Sequence, residues 1–345
     1  MGSVVKFSAV NSKVKALKGK MLKEGHYQKL LQCKDFKSAV SILKEETRYG
    51  EFLNKYDVDT LHRGKLEVTL ARNFTSVYEK FLNYFNSEFR RLLKNLFLRW
   101  EIEDLKIIIR GKYLRSSKEE IESKLIAKSY LNTINYDYLL ALKDVEEVIE
   151  GLKGSRYYKG AKNSAKDISK KGLFKFETNL DFIYFSSIRK ELKHLDKENK
   201  EVVYSIIGLE ADLLNLGWIY RGKFFYNIPA EELFNYTIYD GYKLSKEDLK
   251  KLCYAVSRSD FYRLLEKTPY SHIYEKDDSI SIEKREREFQ KKHFSKYLRE
   301  SKTNVSVIMS YLILYRIELT DIISIIEQKR YYVDINEGIN YVSTT

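Results

Sequence analysis

Apolar residues recur at steps of three and four along almost the whole chain, the spacing of one face of an α-helix. The plainest stretch runs from Phe74 to Leu96. Phe74, Val77, Tyr78, Phe81, Leu82, Phe85, Phe89, Leu92, Leu93 and Leu96 form one stripe, and Arg90, Arg91 and Lys94 fall on the other side. This pattern predicts a single long helix there, with others near residues 180–195 and 283–300. No run of alternating apolar and polar residues between turn signals reads as a strand. With 2 prolines and 15 glycines in 345 residues, the chain lacks the turn residues that an all-β protein of this size needs. The expected fold class is all-α.

Polar positions repeat on a longer period. A first element, Asp followed by bulky and apolar residues, occurs as Asp35-Phe36, Asp144-Val145 and Asp260-Phe261. A second is an apolar residue before Glu: Leu66-Glu67, Phe176-Glu177 and Ile282-Glu283. A third reads Glu101-x-x-Asp104-Leu105 … Arg110-Gly111-Lys112, then Asp212-x-x-Asn215-Leu216 … Arg221-Gly222-Lys223, then Glu318-x-x-Asp321-Ile322 … Glu327-Gln328-Lys329. From the second element to the third the intervals are 34, 35 and 35, and from the acid to the lysine 11, 11 and 11. Shared order and spacing point to a unit of roughly 110 residues present three times, each about the size of a small domain. The expected boundaries are 1–115, 116–225 and 226–345. Three similar helical domains can close around a pseudo-threefold axis and leave a central socket, although a linear string fits the same pattern. Between residues 151 and 176 lysines and small residues dominate, which reads as a flexible basic connector.

In the third element the acid and the Asp or Asn lie at i and i+3, on one helix face. The lysine eleven residues on returns to nearly the same azimuth after about three turns. Two roles suit such a face. It could line a socket for a partner, through Glu101, Asp104, Arg110, Asp212, Asn215, Arg221, Glu318 and Asp321. It could instead bridge neighbouring helices within each unit.

The net charge of +13 narrows the partners to anionic ones: nucleic acid, lipid headgroups or an acidic protein. Lys159, Lys162, Lys166, Lys170 and Lys171 of the basic segment are candidates for contact with an anionic surface. A helical-repeat nucleic-acid-binding protein is the runner-up reading; against it, the aromatics follow helical periodicity and are accounted for by core packing. Catalytic signatures are missing. No Gly-Lys pair has the spaced glycine or the following Ser or Thr of a phosphate loop. The five histidines form no local metal motif. Cys33 and Cys253 form no CxxC pair, and Cys33 reads as a buried, inert thiol. No enzyme activity, cofactor, metal or small-molecule substrate is expected. The N-terminal segment has lysine where a signal peptide is apolar. The longest uncharged run, 303–315, is shorter than the ~20 residues of a bilayer span.

The repeated Asp/Glu-x-x-Asp/Asn-Leu … Arg-Gly-Lys element resembles that of the C subunit of V-type and A-type rotary ATPases, known as the d subunit in the eukaryotic vacuolar enzyme. Residues 212–223 come closest to that pattern. Phe7-Ser8-Ala9-Val10-Asn11 … Lys13 … Lys15-Ala16-Leu17 is similar to the family's opening segment, and the Asp35-Phe36 and Phe176-Glu177 … Leu180-Asp181 stretches also fit. In the third unit Glu327-Gln328 stand in place of Arg-Gly. The resemblance implies a funnel of three helical domains, without catalytic residues, peripheral on the cytoplasmic face of the membrane. Its partners would be the central-stalk subunits and the proteolipid rotor ring. Its task would be to carry torque between ATP hydrolysis or synthesis and proton or sodium transport.

Overall fold

The computed structural model describes residues 3–171, 173–239, 241–274, 281–300 and 302–343, excluding the side chains of residues 3–6, 166, 167 and 169–171. Among these every regular element is helical, so the all-α class holds. Contacts divide the chain into two compact units. One is Thr75–Tyr254; the other joins Met1–Phe74 to Ala255–Thr345.

In the unit Thr75–Tyr254 the order is Ser87–Tyr113, Lys118–Lys124, Tyr136–Ala141, Val145–Gly151, Tyr158–Lys171, Phe174–Glu191, Lys197–Phe224, Ala230–Asn235 and Lys246–Tyr254. Ser87–Tyr113 and Lys197–Phe224 are the first and second long helices. The first packs against Phe174–Glu191, which lies against Tyr158–Lys171. The other unit contains Ser3–Gly19, Glu24–Gln32, Phe36–Glu46, Gly50–Leu53, Arg258–Leu265, Ile282–Glu300, the third long helix Ser306–Tyr331, and Ile335–Gly338. The third long helix packs against Ile282–Glu300 and Ser3–Gly19. Most of its residues are buried on every side, as expected for a helix that is apolar all round.

The triplication is visible in local geometry. Asp35 and Asp144 each cap a short helix, their carboxylates accepting from the Ser38 and Glu147 backbone N–H at 2.9 Å. Such a cap contributes about 1 kcal/mol. In the third copy the cap is Ser257, accepting from Asp260 N–H at 3.1 Å. Asp260 therefore sits one turn inside its helix, and the third copy of the first element is shifted by three residues. After each short helix comes a turn of form Ser/Thr-x-Tyr. The Thr47, Ser155 and Thr268 hydroxyls accept from the N–H of Tyr49, Tyr157 and Tyr270, each at 3.2 Å. All three tyrosines are fully buried.

Two expectations need correction. The stripe from Phe74 to Leu96 is not one helix. Arg63–Leu82 ends, and Ser87–Tyr113 begins after Asn86 turns extended and Ser87 adopts φ 49°. Asn83 and Asn86 favour such a break, while Phe85 stays buried and keeps the apolar rhythm unbroken. The basic segment 151–176 is not an open connector, since Tyr158–Lys171 is helical, with Ala161 and Ser164 buried.

Candidate functional site

The polar faces of the three long helices hold the loops that follow them. In the first helix Asp104 accepts the N–H groups of Ile126 and Ala127, both at 2.7 Å. Glu101 accepts from the Thr133 N–H, from its hydroxyl at 2.6 Å, and from the Tyr157 hydroxyl. Lys112 donates to the carbonyls of Leu140, at 2.9 Å, and Leu142, at the end of helix Tyr136–Ala141.

The second helix repeats the arrangement. Asp212 accepts from Tyr242 N–H at 3.1 Å and Lys243 N–H at 2.7 Å. Asn215 accepts from the Ile238 N–H at 2.7 Å and donates to the Ile238 carbonyl at 2.8 Å. An amide, which can donate and accept at once, suits both polar groups of a single backbone residue, where a carboxylate suits two N–H groups. Lys223 donates to the Cys253 carbonyl, 2.8 Å away, at the end of helix Lys246–Tyr254.

In the third helix the corresponding groups come from the start of the chain. Glu318 accepts from Leu22 N–H at 2.6 Å, from Arg48 at 2.7 Å and from the Tyr49 hydroxyl. Asp321 accepts from Ser343 N–H at 3.1 Å, its hydroxyl at 2.6 Å, Arg287 at 3.0 Å and Lys291 at 2.9 Å. Lys329 donates to the Leu31 carbonyl near the end of helix Glu24–Gln32. The third helix thus takes from Glu24–Gln32 what the first takes from Tyr136–Ala141 and the second from Lys246–Tyr254.

Of the eight residues read as socket candidates, Glu101, Asp104, Asp212, Asn215, Glu318 and Asp321 are at most 1% exposed. The bonds described above all stay within their own unit. Arg110 and Arg221 are exposed. Arg110 forms a two-pronged ion pair with Glu177, the second element, at 2.6 and 2.5 Å. Where the third copy has Glu327, the ion pair survives with its charges exchanged: Arg63 reaches Glu67 at 2.5 Å and Glu327 at 3.0 Å. Glycine and glutamine exchange roles in the same way. A Cβ on Gly111 or Gly222 would come within 2.4 Å of Ile121 or Leu233 on the next short helix. In the third copy Gln328 bonds the Gly338 carbonyl at 3.0 Å, and the glycine lies on the opposite side of the contact. Neither the Ser/Thr-x-Tyr turn nor the compensating Arg63 was read from the sequence. The first is detectable as a fourth repeated element; the second emerges only from the fold.

Lys159 and Lys162 of the basic segment are exposed, and Lys162 pairs with Glu150 at 3.0 Å. The side chains of Lys166, Lys170 and Lys171 lie outside the described residues. Among the described residues no group of three or more His, Cys, Asp or Glu could hold a metal ion. Burial pushes the Cys253 thiol up to about 12 and also raises that of half-buried Cys33, so neither is an activated nucleophile.

Tyr49 and Tyr157 are two of the buried phenols that make stability depend on pH. Burial foremost, then the carboxylates of Glu318 and Glu101 beside them, raise both phenols well above their ordinary value near 10. The native chain therefore keeps protons that the unfolded chain loses. Their stabilising contribution is complete below about pH 10 and falls away as pH rises above it. Helicity should collapse on alkaline titration together with the appearance of buried phenolate absorbance. Phenolate appearing from these residues while helicity is intact would contradict this.

Residues 10–337 match the family described as ATP synthase (C/AC39) subunit. The chain belongs to this family. It is similar to the C subunit of the A-type ATP synthase of Methanocaldococcus jannaschii, 25% identical over 332 residues, which covers 94% of this chain and 82% of that protein. The same subunit of Archaeoglobus fulgidus is 24% identical over 338 residues, 96% and 94% of the two chains. That of Methanococcoides burtonii is 27% identical over 277 residues, 78% and 73%. As a family member the chain is a structural, non-catalytic part of a rotary ATPase. One helix, Lys197–Phe224, is long and apolar enough to cross a membrane, but 72% of its apolar window is buried inside the protein. It is a core helix, in keeping with a peripheral subunit.

Proposed function

We propose that this chain is the part of an A/V-type rotary ATPase that joins the central stalk to the membrane rotor ring on the cytoplasmic side. It would transmit torque between ATP hydrolysis or synthesis and proton or sodium transport. The observation that carries this reading is the family match across residues 10–337. Three copies of one helical unit, set around a common axis as a funnel with units near 1–115, 116–225 and 226–345, would suit a joint between a narrow shaft and a wider ring. The bonding described above adds a physical reason. A part that carries torque must not yield, and buried acids that each grip two or more loop groups make stiff loops.

Contact with the stalk would run through the loops that the six buried polar residues hold in shape. Lys159 and Lys162, with Lys166, Lys170 and Lys171, remain candidates for contact with an acidic surface. The test is to tag the chain in its own host and purify it from detergent-solubilised membranes. Head, stalk and proteolipid subunits should co-purify, and membranes lacking the chain should hydrolyse ATP without moving ions. Purification without any other ATPase component would overturn the proposal.

A further inference from the structure

Each long helix ends in the same exposed arrangement. One residue past the Arg-Gly-Lys triplet or its equivalent come Tyr113-Leu114, Phe224-Phe225-Tyr226 and, after Arg330, Tyr331-Tyr332. Leu114, Phe225 and Tyr331 occupy the same position, thirteen residues beyond the leading acid, and are 73%, 59% and 62% exposed. Tyr226 and Tyr332, next along the chain from Phe225 and Tyr331, are more exposed than those neighbours. The chain then reverses through a left-handed residue: Arg115 at φ 58°, Asn227 at 51° and Tyr332 at 54°. The turn is closed each time on the carbonyl of the triplet's middle residue. Gly111 accepts from Ser116 N–H and Gly222 from Ile228 N–H, both at 2.9 Å, and Gln328 from Val333 N–H at 3.1 Å.

Isolated exposed apolar residues are ordinary. An exposed aromatic or aliphatic side chain at the same repeat position in three copies, each time with an aromatic neighbour beside it, is not. A tyrosine held at positive φ adds strain to the cost of exposure. Cations accompany each pair. Exposed arginines stand beside all three: Arg115 follows the first, Arg221 precedes the second and Arg330 precedes the third. Within four residues of the first two pairs the sequence has no acid. Lys112 and Lys223 spend their ammonium groups on neutral carbonyls, which leaves their charge unbalanced by carboxylates there.

Amphipathic aromatic rings and an aliphatic tip beside arginine and lysine are the composition of a contact with a charged bilayer interface. We propose that these helix tips are contact points for the anionic headgroup surface of a membrane. Each tip inserts its apolar pair at headgroup depth and sets its cations among the lipid phosphates. The excess of positive charge on the whole chain favours the same occupant. This goes beyond the rotary role, and it is measured on the isolated chain, so either proposal can fail alone.

The experiment is co-sedimentation of the full-length chain with phosphatidylcholine vesicles, with and without phosphatidylglycerol. The chain should bind only the anionic vesicles, and added salt should weaken it. Leu114→Ser, the double variant Phe225→Ser/Tyr226→Ser and the double variant Tyr331→Ser/Tyr332→Ser should each lower binding several-fold at unchanged helicity, since the side chains are exposed. Arg115→Gln and Arg330→Gln should each lower it about fivefold. Lys200→Gln, an exposed lysine in the first turn of the second long helix and so at the far end from its tip, serves as the control for generic charge and should leave binding nearly intact. The proposal is overturned if anionic vesicles are not bound at low salt, or if Lys200→Gln weakens binding as much as the tip variants. It is also overturned if the tips instead prove necessary for capture of single-stranded RNA by a chain that ignores vesicles.

Discussion

Replacing Glu318 with alanine should destabilise the unit formed by the two ends of the chain by about 3–5 kcal/mol, the range seen when one partner of a buried ion pair is removed. Glu318 is 1% exposed and takes the Leu22 N–H, the Arg48 guanidinium and the Tyr49 hydroxyl. The Arg48 side chain is itself only 9% exposed, and its guanidinium lies 3.9 Å from the centre of the Tyr315 ring. Without the carboxylate, one buried cation, one phenol and one backbone donor lose their acceptor together. Glu318→Gln keeps an acceptor but not the charge and should cost roughly half as much. In a unit of this size the alanine variant should melt on the order of 10 °C lower. A melting point within ~2 °C of the parent chain would refute the account.

The second large effect is expected at Gly208, one turn before Asp212 on the second long helix. The backbone of residues 241–243 lies so close to this helix that a Cβ on Gly208 would come within 2.8 Å of Tyr242 N and 3.1 Å of the Gly241 carbonyl carbon. A Cβ on Gly241 would fall 1.7 Å from Asp212 Oδ1. Both positions must lack a side chain for Asp212 to reach two N–H groups. Gly208→Val should push the loop away, strand the buried carboxylate and cost about 3 kcal/mol or more. Amide exchange at Tyr242 and Lys243 should accelerate far more than exchange on Ser87–Tyr113. If those two amides stay as protected as in the parent, the close approach is not what positions them.

Much of this was legible in the residues. Helical spacing is a local signal, so the all-α class could be read directly. The repeat was found because the acid and lysine must stay in register with one helix face. That register fixes a step of eleven positions from acid to lysine in every copy. The Phe74–Leu96 stripe misled because a helix–turn–helix can bury its turn, as Phe85 does, and so preserve the apolar rhythm. Asp260 misled because serine and aspartate are interchangeable as caps, and the cap of that copy is Ser257. The basic segment was misread because eight lysines and arginines hide a narrow buried stripe, of which Ala161 and Ser164 are members. Whether the polar face turns toward a partner or toward its own loops could not be read, because both roles demand the same residues on the same side. Burial of Glu101, Asp104 and Asp321 is a property of what surrounds them.

The third copy has a consequence for how the chain is made. Leu22, Leu31 and Tyr49 are synthesised early, yet Glu318 and Lys329, which bind them, emerge nearly 300 residues later. Closing contacts so distant in sequence is slow. The stretch Thr75–Tyr254 carries its own partners and can mature on the ribosome, whereas the flanking segments must wait for each other until translation ends. A prematurely terminated product would therefore display an open, apolar amino-terminal portion, a ready signal for chaperones and proteases to sort finished copies from failed ones.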